Sequence, residues 1–183
     1  MAGMKRFITY IYGYENAKKA GAEAEIFVVR NLTEQAIKES VDAMEHKIKQ
    51  SQIVMRPGGF SGGDEPDGSG KFIANVLNNE KIAAAIEALI ARGGLILGIC
   101  NGFQALIKLG LVPYGEIRDL DDTCPTLTYN LIGRHQSRYV QTRVASVKSP
   151  WLSSCEVGDV HSIAISHGEG RFVAPQAEID RLV

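Results

Sequence analysis

The stretch that decides the fold runs from Leu95 to Gly110 and reads LILGICNGFQALIKLG. It begins with a continuous apolar run, which is typical of a central parallel strand that helices cover on both faces. A helical segment follows without a spacer and ends at a glycine, a common helix terminator. Cys100 therefore falls at the junction of a buried strand and a helix, with Gly98 two residues before it and Gly102 two residues after it.

This spacing of Gly98, Cys100 and Gly102 is the pattern of a nucleophile elbow, a sharp turn between a strand and a helix. The turn is too tight for side chains on both flanks, which is why glycines stand there. It also puts the thiol at a helix N-terminus, where the helix dipole favours the thiolate that attacks substrates. Cys100 is thus the candidate nucleophile. The alternative is a buried structural cysteine between two packing glycines.

The segments before this stretch alternate between strand and helix patterns. Strands are predicted over residues 7–12, 24–29, 52–55 and 95–99. One helix face is predicted from four apolar residues at spacings of three and four: Ile37, Val41, Met44 and Ile48. The alternation predicts an α/β fold with a doubly wound, mostly parallel sheet of flavodoxin-like type and right-handed crossovers. Beyond Pro113 we expect strands over 126–130, 139–147 and 163–166, and the start of a helix at 177.

A second candidate for chemistry is the segment Ser166-His-Gly-Glu-Gly-Arg171. A thiolate that attacks a carbonyl group needs a base, and that base needs a third group to orient it. If the backbone is extended here, the side chains of His167 and Glu169 point to the same side. The carboxylate can then hold one imidazole nitrogen while the other faces the thiol. The alternative is an ordinary surface or core histidine.

The glycine-rich loop that follows the third predicted strand, PGGFSGGDEPDGSG at residues 57–70, is a candidate for the oxyanion hole. An oxyanion hole needs main-chain N–H groups near the nucleophile. The N–H of Asn101, directly after the cysteine, is one donor, and the Pro57-Gly58-Gly59 turn offers a second. The loop lacks the phosphate-binding pattern G-x-x-x-x-G-K-[ST], and its acidic residues are interpreted as a solvated turn.

Length and composition exclude several classes of protein. A chain of 183 residues with 45% hydrophobic and 22% charged residues is typical of a globular domain, and its formal net charge of -1 argues against a nucleic-acid binder. No apolar stretch is long enough for a membrane span, and the N-terminus lacks a secretory pattern. The three cysteines form no CxxC pair. We therefore expect neither a zinc site nor a disulfide framework, and a cytoplasmic protein.

Taken together, the motifs PGG, GICNGFQ and SHGEGRF resemble those of the class I, or triad, glutamine amidotransferases. The chain is more closely similar to the amidotransferase domains of phosphoribosylformylglycinamidine synthases. That similarity rests on PGGFSGGDEPDGSGKF, LGICNGFQALIKLGLVP, NLIGRHQSR, SPWL and HGEGRF. It extends over about residues 21–175, most of the chain.

The resemblance implies a role for each matching residue. Cys100 would attack the side-chain amide of L-glutamine, His167 would act as base and acid, and Glu169 would orient His167. The amides of Gly59 and Asn101 would stabilise the tetrahedral intermediate. Three residues would contact the substrate: Gly58, Phe60 and Gln104.

The resemblance also implies a partner. A γ-glutamyl thioester and ammonia would form, and a synthetase domain or subunit would use the ammonia to convert formylglycinamide ribonucleotide to the amidine in de novo purine biosynthesis. ATP and Mg²⁺ are expected only in that synthetase partner. In the chain itself we expect no cofactor and no metal, and no binding to nucleic acid or membrane.

Two departures from the family pattern shape the expected domain organisation. The loop after the first strand, Ile11 to Asn16, is shortened or replaced, and the chain ends soon after HGEGRF. We therefore expect residues 1–183 to be a single amidotransferase domain, C-terminally truncated or excised. One alternative is a catalytically incompetent fragment that serves as an interaction module. Another elbow-cysteine α/β protein is disfavoured by the downstream His-Gly-Glu.

Overall fold

The computed structural model describes residues 6–9, 11–59 and 70–182. Contacts within the chain divide it into two compact units. Unit 1 comprises residues 1–127 and 172–183, and unit 2 comprises residues 128–171. No helix among the described residues has both the length and the apolar character needed to span a membrane.

Unit 1 is built on a parallel four-stranded sheet. Its strands are β1 (Arg6–Thr9), β2 (Glu23–Ile26), β3 (Ile53–Arg56) and β4 (Leu95–Gly98). They lie in the order β2-β1-β3-β4, and every neighbouring pair is parallel. This order matches the first four strands of the flavodoxin-like arrangement. The predicted α/β fold class is therefore confirmed, although β2 ends at Ile26, before the predicted Val29.

Helices connect these strands. The helices of unit 1 are α1 (Ile11–Lys19), α2 (Glu34–Gln50), α3 (Lys71–Leu77), α4 (Glu80–Ala91), α5 (Asn101–Lys108), α6 (Leu111–Tyr114) and α7 (Gln176–Leu182). The predicted first strand, 7–12, is too long, because α1 begins at Ile11. Thr33 caps α2, because its Oγ1 accepts a hydrogen bond from the N–H of Ala36 at 3.1 Å.

The core of unit 1 lies where α2 packs against α4 and both cover the sheet. The right-handed crossover rule assigns these two helices to one face and α1 to the other. Ile82 and Leu89 of α4 are fully buried. Met44 and Ile48 of α2 are buried too, with 5% and 1% of their surface exposed. Ile37, predicted on the same face of α2, is 45% exposed and lies in the first turn of the helix.

Unit 2 contains an antiparallel pair, β6 (Gln136–Arg143) and β7 (Val160–His167), in which Gln136 lies opposite His167. A 3₁₀ turn, η1 (Pro150–Leu152), lies between them. A further two-stranded sheet, β5 (Thr126–Thr128) with β8 (Arg171–Val173), includes the residues where the chain passes between the units. β6 begins at Gln136, three residues before the predicted strand over 139–147. The start was missed because its residues are mostly polar and exposed, so they lack the apolar alternation from which a strand is predicted.

Candidate active site

The cysteine elbow predicted from the sequence is present in unit 1. Cys100 follows β4, occupies the N-cap position of α5, and has φ 54° and ψ −116°. It is the one non-glycine residue with a positive φ in the described part of the chain. Such a conformation costs about 1–3 kcal/mol and persists only where the surrounding structure holds it. The side chain of Cys100 is exposed, so the strained backbone presents the thiol to solvent.

Two glycines make the elbow possible by letting main chains approach closely. A Cβ on Gly102 would overlap the carbonyl oxygen of Arg56, the last residue of β3. A Cβ on Gly98 would lie 2.6 Å from Cδ1 of Leu106 on α5. The N–H of Ile99 donates to the same Arg56 carbonyl at 2.9 Å. The elbow is thus fixed against the end of the neighbouring strand by main-chain contacts.

The Pro57-Gly58-Gly59 turn lies directly against the thiol. A Cβ on Gly58 would lie 2.7 Å from Cβ and 3.2 Å from Sγ of Cys100. Gly59 has φ 137°, a value that favours glycine, and among the described residues no atom beyond its chain neighbours lies within 4 Å of its Cβ position. Within the described residues no main-chain hydrogen bond uses its N–H. The structure therefore brings three of the predicted residues together, the nucleophile and two loop glycines.

The remaining predicted residues of unit 1 have different positions. Asn101 and Gln104 are buried in α5, and the N–H of Gln104 donates to the carbonyl of Cys100 at 3.0 Å. Phe60 and the acidic run of the loop lie outside the described residues. Beneath the elbow, burial lowers the pKa of the Arg56 guanidinium, whose Nε has no hydrogen-bond partner among the described residues.

In unit 2, His167 ends β7 and its imidazole is held by an asparagine that no sequence pattern singled out. Nδ1 of His167 lies 3.0 Å from Oδ1 of Asn130. The amide of Asn130 is oriented by its Nδ2 atom, which donates to the carbonyls of His167 at 2.9 Å and Arg134 at 3.1 Å. Oδ1 must then accept, so the network assigns the proton to Nδ1 and leaves Nε2 as the basic atom.

Asn130 also shapes the turn that follows His167. Its N–H donates to the carbonyl of Gly168 at 2.9 Å, and its Oδ1 accepts from the N–H of Gly170 at 3.4 Å. Residues 168 and 169 form a bend instead of the extended backbone considered from the sequence, and Glu169 is buried. A Cβ on Gly170 would overlap the imidazole ring of His167. The orienting role of Glu169 stays a prediction, and Asn130 is a second orienting group.

The sequence carried only a weak signal for Asn130. Thirty-seven positions separate it from His167 along the chain. It begins NLIGRHQSR, a stretch that supported the resemblance without any assigned role. Only the fold brings its amide to the imidazole.

The described fold and elbow define a class: an α/β domain with an exposed cysteine at the strand-to-helix elbow of a flavodoxin-like sheet. Within that class, the family profile of the CobB/CobQ-like glutamine amidotransferase domain matches residues 13–183. The chain belongs to this glutamine amidotransferase family.

Curated relatives carry a more specific name. The chain is 36% identical over 162 residues to phosphoribosylformylglycinamidine synthase subunit PurQ of Treponema denticola, a match that covers 84% of the chain and 55% of the relative. It is 33% identical over 158 residues to subunit PurQ of Aquifex aeolicus, covering 85% of the chain and 61% of the relative. The chain thus spans about half to three fifths of the length of these relatives.

A solved structure is also similar. The structure of PurLQS from Thermotoga maritima matches with a TM-score of 0.67 and 27% identity, over 94% of the chain and 71% of the matched chain. Both the identity and the TM-score of this match support the amidotransferase fold.

Proposed function

We propose that this chain is the glutamine-hydrolysing part of a phosphoribosylformylglycinamidine synthase. The observation that carries the proposal is the elbow, where Cys100 is exposed at φ 54° and Gly58 packs against its side chain. A strained, exposed thiol at a helix N-terminus beside a glycine turn suits nucleophilic attack on a carbonyl group. The description of the matching family as a glutamine amidotransferase domain supports glutamine as the substrate.

In the proposed first half-reaction, the thiol of Cys100 loses its proton to Nε2 of His167 as sulfur attacks the side-chain amide carbon of glutamine. The N–H groups of Gly59 and Asn101 stabilise the negative oxygen of the tetrahedral intermediate. The carbon–nitrogen bond then breaks. The nitrogen takes the proton from the imidazolium and leaves as ammonia, and a γ-glutamyl thioester remains on the sulfur.

In the second half-reaction, water attacks the thioester carbon and gives one proton to Nε2 of His167. The carbon–sulfur bond breaks, the thiolate regains that proton, and glutamate leaves. Glutamine and water are thus converted to glutamate and ammonia. The hydrogen bond from Nδ1 to Asn130 supports this role of Nε2, because it fixes the tautomer in which Nε2 is unprotonated.

The proposed partner is a synthetase domain or subunit, which uses the ammonia and ATP to convert formylglycinamide ribonucleotide to its amidine. The names of the relatives and the similarity to the PurLQS structure support an assembly of this kind. ATP and Mg²⁺ would be bound by that partner.

The test is labelling with a diazoketone analogue of glutamine, followed by intact-mass measurement and peptide mapping. We expect one adduct per chain on Cys100, blocked by excess glutamine and absent from Cys100→Ala. Cys124→Ser is the matched control, because it removes another free thiol and leaves the elbow intact. Iodoacetamide modification of Cys100 without any diazoketone adduct would contradict a glutamine pocket and favour the interaction-module alternative.

A further inference from the structure

Unit 2 contains a group of three metal-ligating side chains that the proposed reaction does not use. One ligand atom each from Cys155, Asp159 and His161 lie within 4.8 Å of one another. It is the one group of this kind found among the described residues. The ligands are a thiol, a carboxylate and an imidazole, the three side-chain types that bind zinc.

The main chain holds this group in a short turn. The N–H of Cys155 donates to the carbonyl of Leu152 at 3.0 Å. Two hydrogen bonds join Glu156 and Asp159. The N–H of Glu156 donates to Oδ2 of Asp159 at 2.8 Å, and the N–H of Asp159 donates to the carbonyl of Glu156 at 3.1 Å. The carboxylate is thereby oriented through Oδ2. Such orientation of a ligand by a second hydrogen bond is typical of metal sites.

The third ligand stands on a strand. His161 belongs to β7 and lies opposite Thr142 of β6 in the antiparallel register. An ion bound by all three side chains would therefore link the turn at 155–159 to the paired strands.

Unit 2 has a physical need for such a link. Among its residues, Val144, at 6% exposure, is the only buried apolar side chain. Small units without a hydrophobic core usually depend on a disulfide, a metal ion or a partner for stability. All three cysteines of the chain are free, so no disulfide supplies the link.

We propose that Cys155, Asp159 and His161 form a zinc site that ties the 155–159 turn to β7. Zinc binds sulfur at about 2.3 Å and nitrogen or oxygen at about 2.0–2.2 Å in tetrahedral geometry, so the ligand atoms draw together on binding. The thiol of Cys155 releases its proton to solvent as the zinc–sulfur bond forms. The thiolate and the carboxylate then balance the charge of the ion. Asp159 and His161 are exposed, which leaves the fourth position to water.

The experiment uses the full chain, freed of metal by chelator and dialysis, then titrated with Co²⁺ and with Zn²⁺. Co²⁺ bound to a thiolate gives a sulfur-to-metal charge-transfer band in the near ultraviolet. We expect about one equivalent of either metal, a charge-transfer band that Zn²⁺ displaces, and slower amide exchange across the 155–161 segment in the zinc form.

Variants assign the band to the cluster. Cys155→Ser should abolish it, and His161→Gln, which keeps the thiol, should weaken metal affinity by about tenfold or more. Cys124→Ser and His46→Gln are the matched controls, because they remove a thiol and an imidazole elsewhere in the chain, and both should keep the band. The site is ruled out by an absent band in the unchanged chain, or by a band that survives in Cys155→Ser and disappears in Cys124→Ser.

Discussion

The thiol and the imidazole of this protein are held in place by different physical means. In unit 1, Cys100 is fixed by main-chain packing: Gly98 and Gly102 admit the close approach of neighbouring atoms, and Gly58 abuts the side chain. In unit 2, His167 is fixed by hydrogen bonds to the side-chain amide of Asn130. Steric contacts tolerate almost no added volume, whereas a hydrogen bond can be weakened in steps. The two regions should therefore respond differently to substitution.

The largest effect is expected at the nucleophile itself. Cys100→Ala should reduce glutamine hydrolysis to background, because no sulfur remains to form the thioester, while the midpoint of thermal unfolding changes little. Ammonia release and thermal melts measure the two quantities. Cys124→Ser should keep the parent rate. Substantial hydrolysis by Cys100→Ala would overturn the proposed mechanism.

The packing around the thiol is tested next by Gly58→Ala. The added methyl group would lie 2.7 Å from Cβ of Cys100, so the turn or the thiol must move. We expect hydrolysis to fall by about 10²–10³-fold, the range found when an oxyanion donor is lost. The unfolding midpoint should change little, because the contact lies at an exposed thiol.

Gly94→Ala is the matched control for that prediction. Its methyl group would overlap Leu89, a fully buried residue of the core of unit 1. It should lower stability by about 1–3 kcal/mol, the usual cost of overpacking, and leave the rate of the folded protein unchanged. If both variants lost rate and stability together, the elbow would have no special sensitivity to added volume.

The parts of the structure that could be predicted from the sequence are those set by local patterns. The strand, elbow and helix from Leu95 to Gly110 are contiguous, and the glycine spacing around Cys100 needs no distant residue to be recognised. The same holds for the N-cap at Thr33 and for the apolar face that Met44 and Ile48 contribute to α2.

The parts that could not be predicted depend on residues far apart or on turns. Asn130 meets His167 across 37 positions, and nothing near either residue indicates the pairing. Cys155, Asp159 and His161 fit no CxxC spacing, and only the folded turn brings their ligand atoms within 4.8 Å of one another. Periodicity also fails at Ile37, which is 45% exposed in the first turn of α2.

The packing of the imidazole is tested by Gly170→Ala. An added methyl group would overlap the ring of His167, so we expect the ring to be displaced and hydrolysis to fall by about 10²-fold, the lower range for loss of a general base. Gly168→Ala is the matched control, because in the described part of the chain no atom beyond its two neighbours in sequence lies within 4 Å of its Cβ position. The two variants should differ in kcat and share one unfolding midpoint. Equal rates in both would show that the ring is not confined at Gly170.

The smallest effect is expected where the imidazole is held by a hydrogen bond. Asn130→Ala removes the acceptor of Nδ1–H, and both tautomers of His167 then become populated. We expect kcat to fall by about fivefold with KM unchanged, because a hydrogen bond of this kind contributes roughly 1 kcal/mol. Asn130→Asp keeps an acceptor oxygen at the same position and should recover part of the rate.

Glu169→Gln tests whether the carboxylate of Glu169 or the amide of Asn130 orients the imidazole of His167. If Asn130 orients the ring, Asn130→Ala lowers kcat more than Glu169→Gln does, and both remain milder than His167→Ala. If the buried carboxylate dominates, the order of the first two is reversed. A rise in KM with kcat unchanged in Asn130→Ala would instead place the amide in substrate binding. An equal loss in Asn130→Ala and Asn130→Asp, with a lowered unfolding midpoint, would make Asn130 a structural support of the turn. The contrast between steric and hydrogen-bonded control would then fail, because the contacts at Gly58 and Gly170 are both steric.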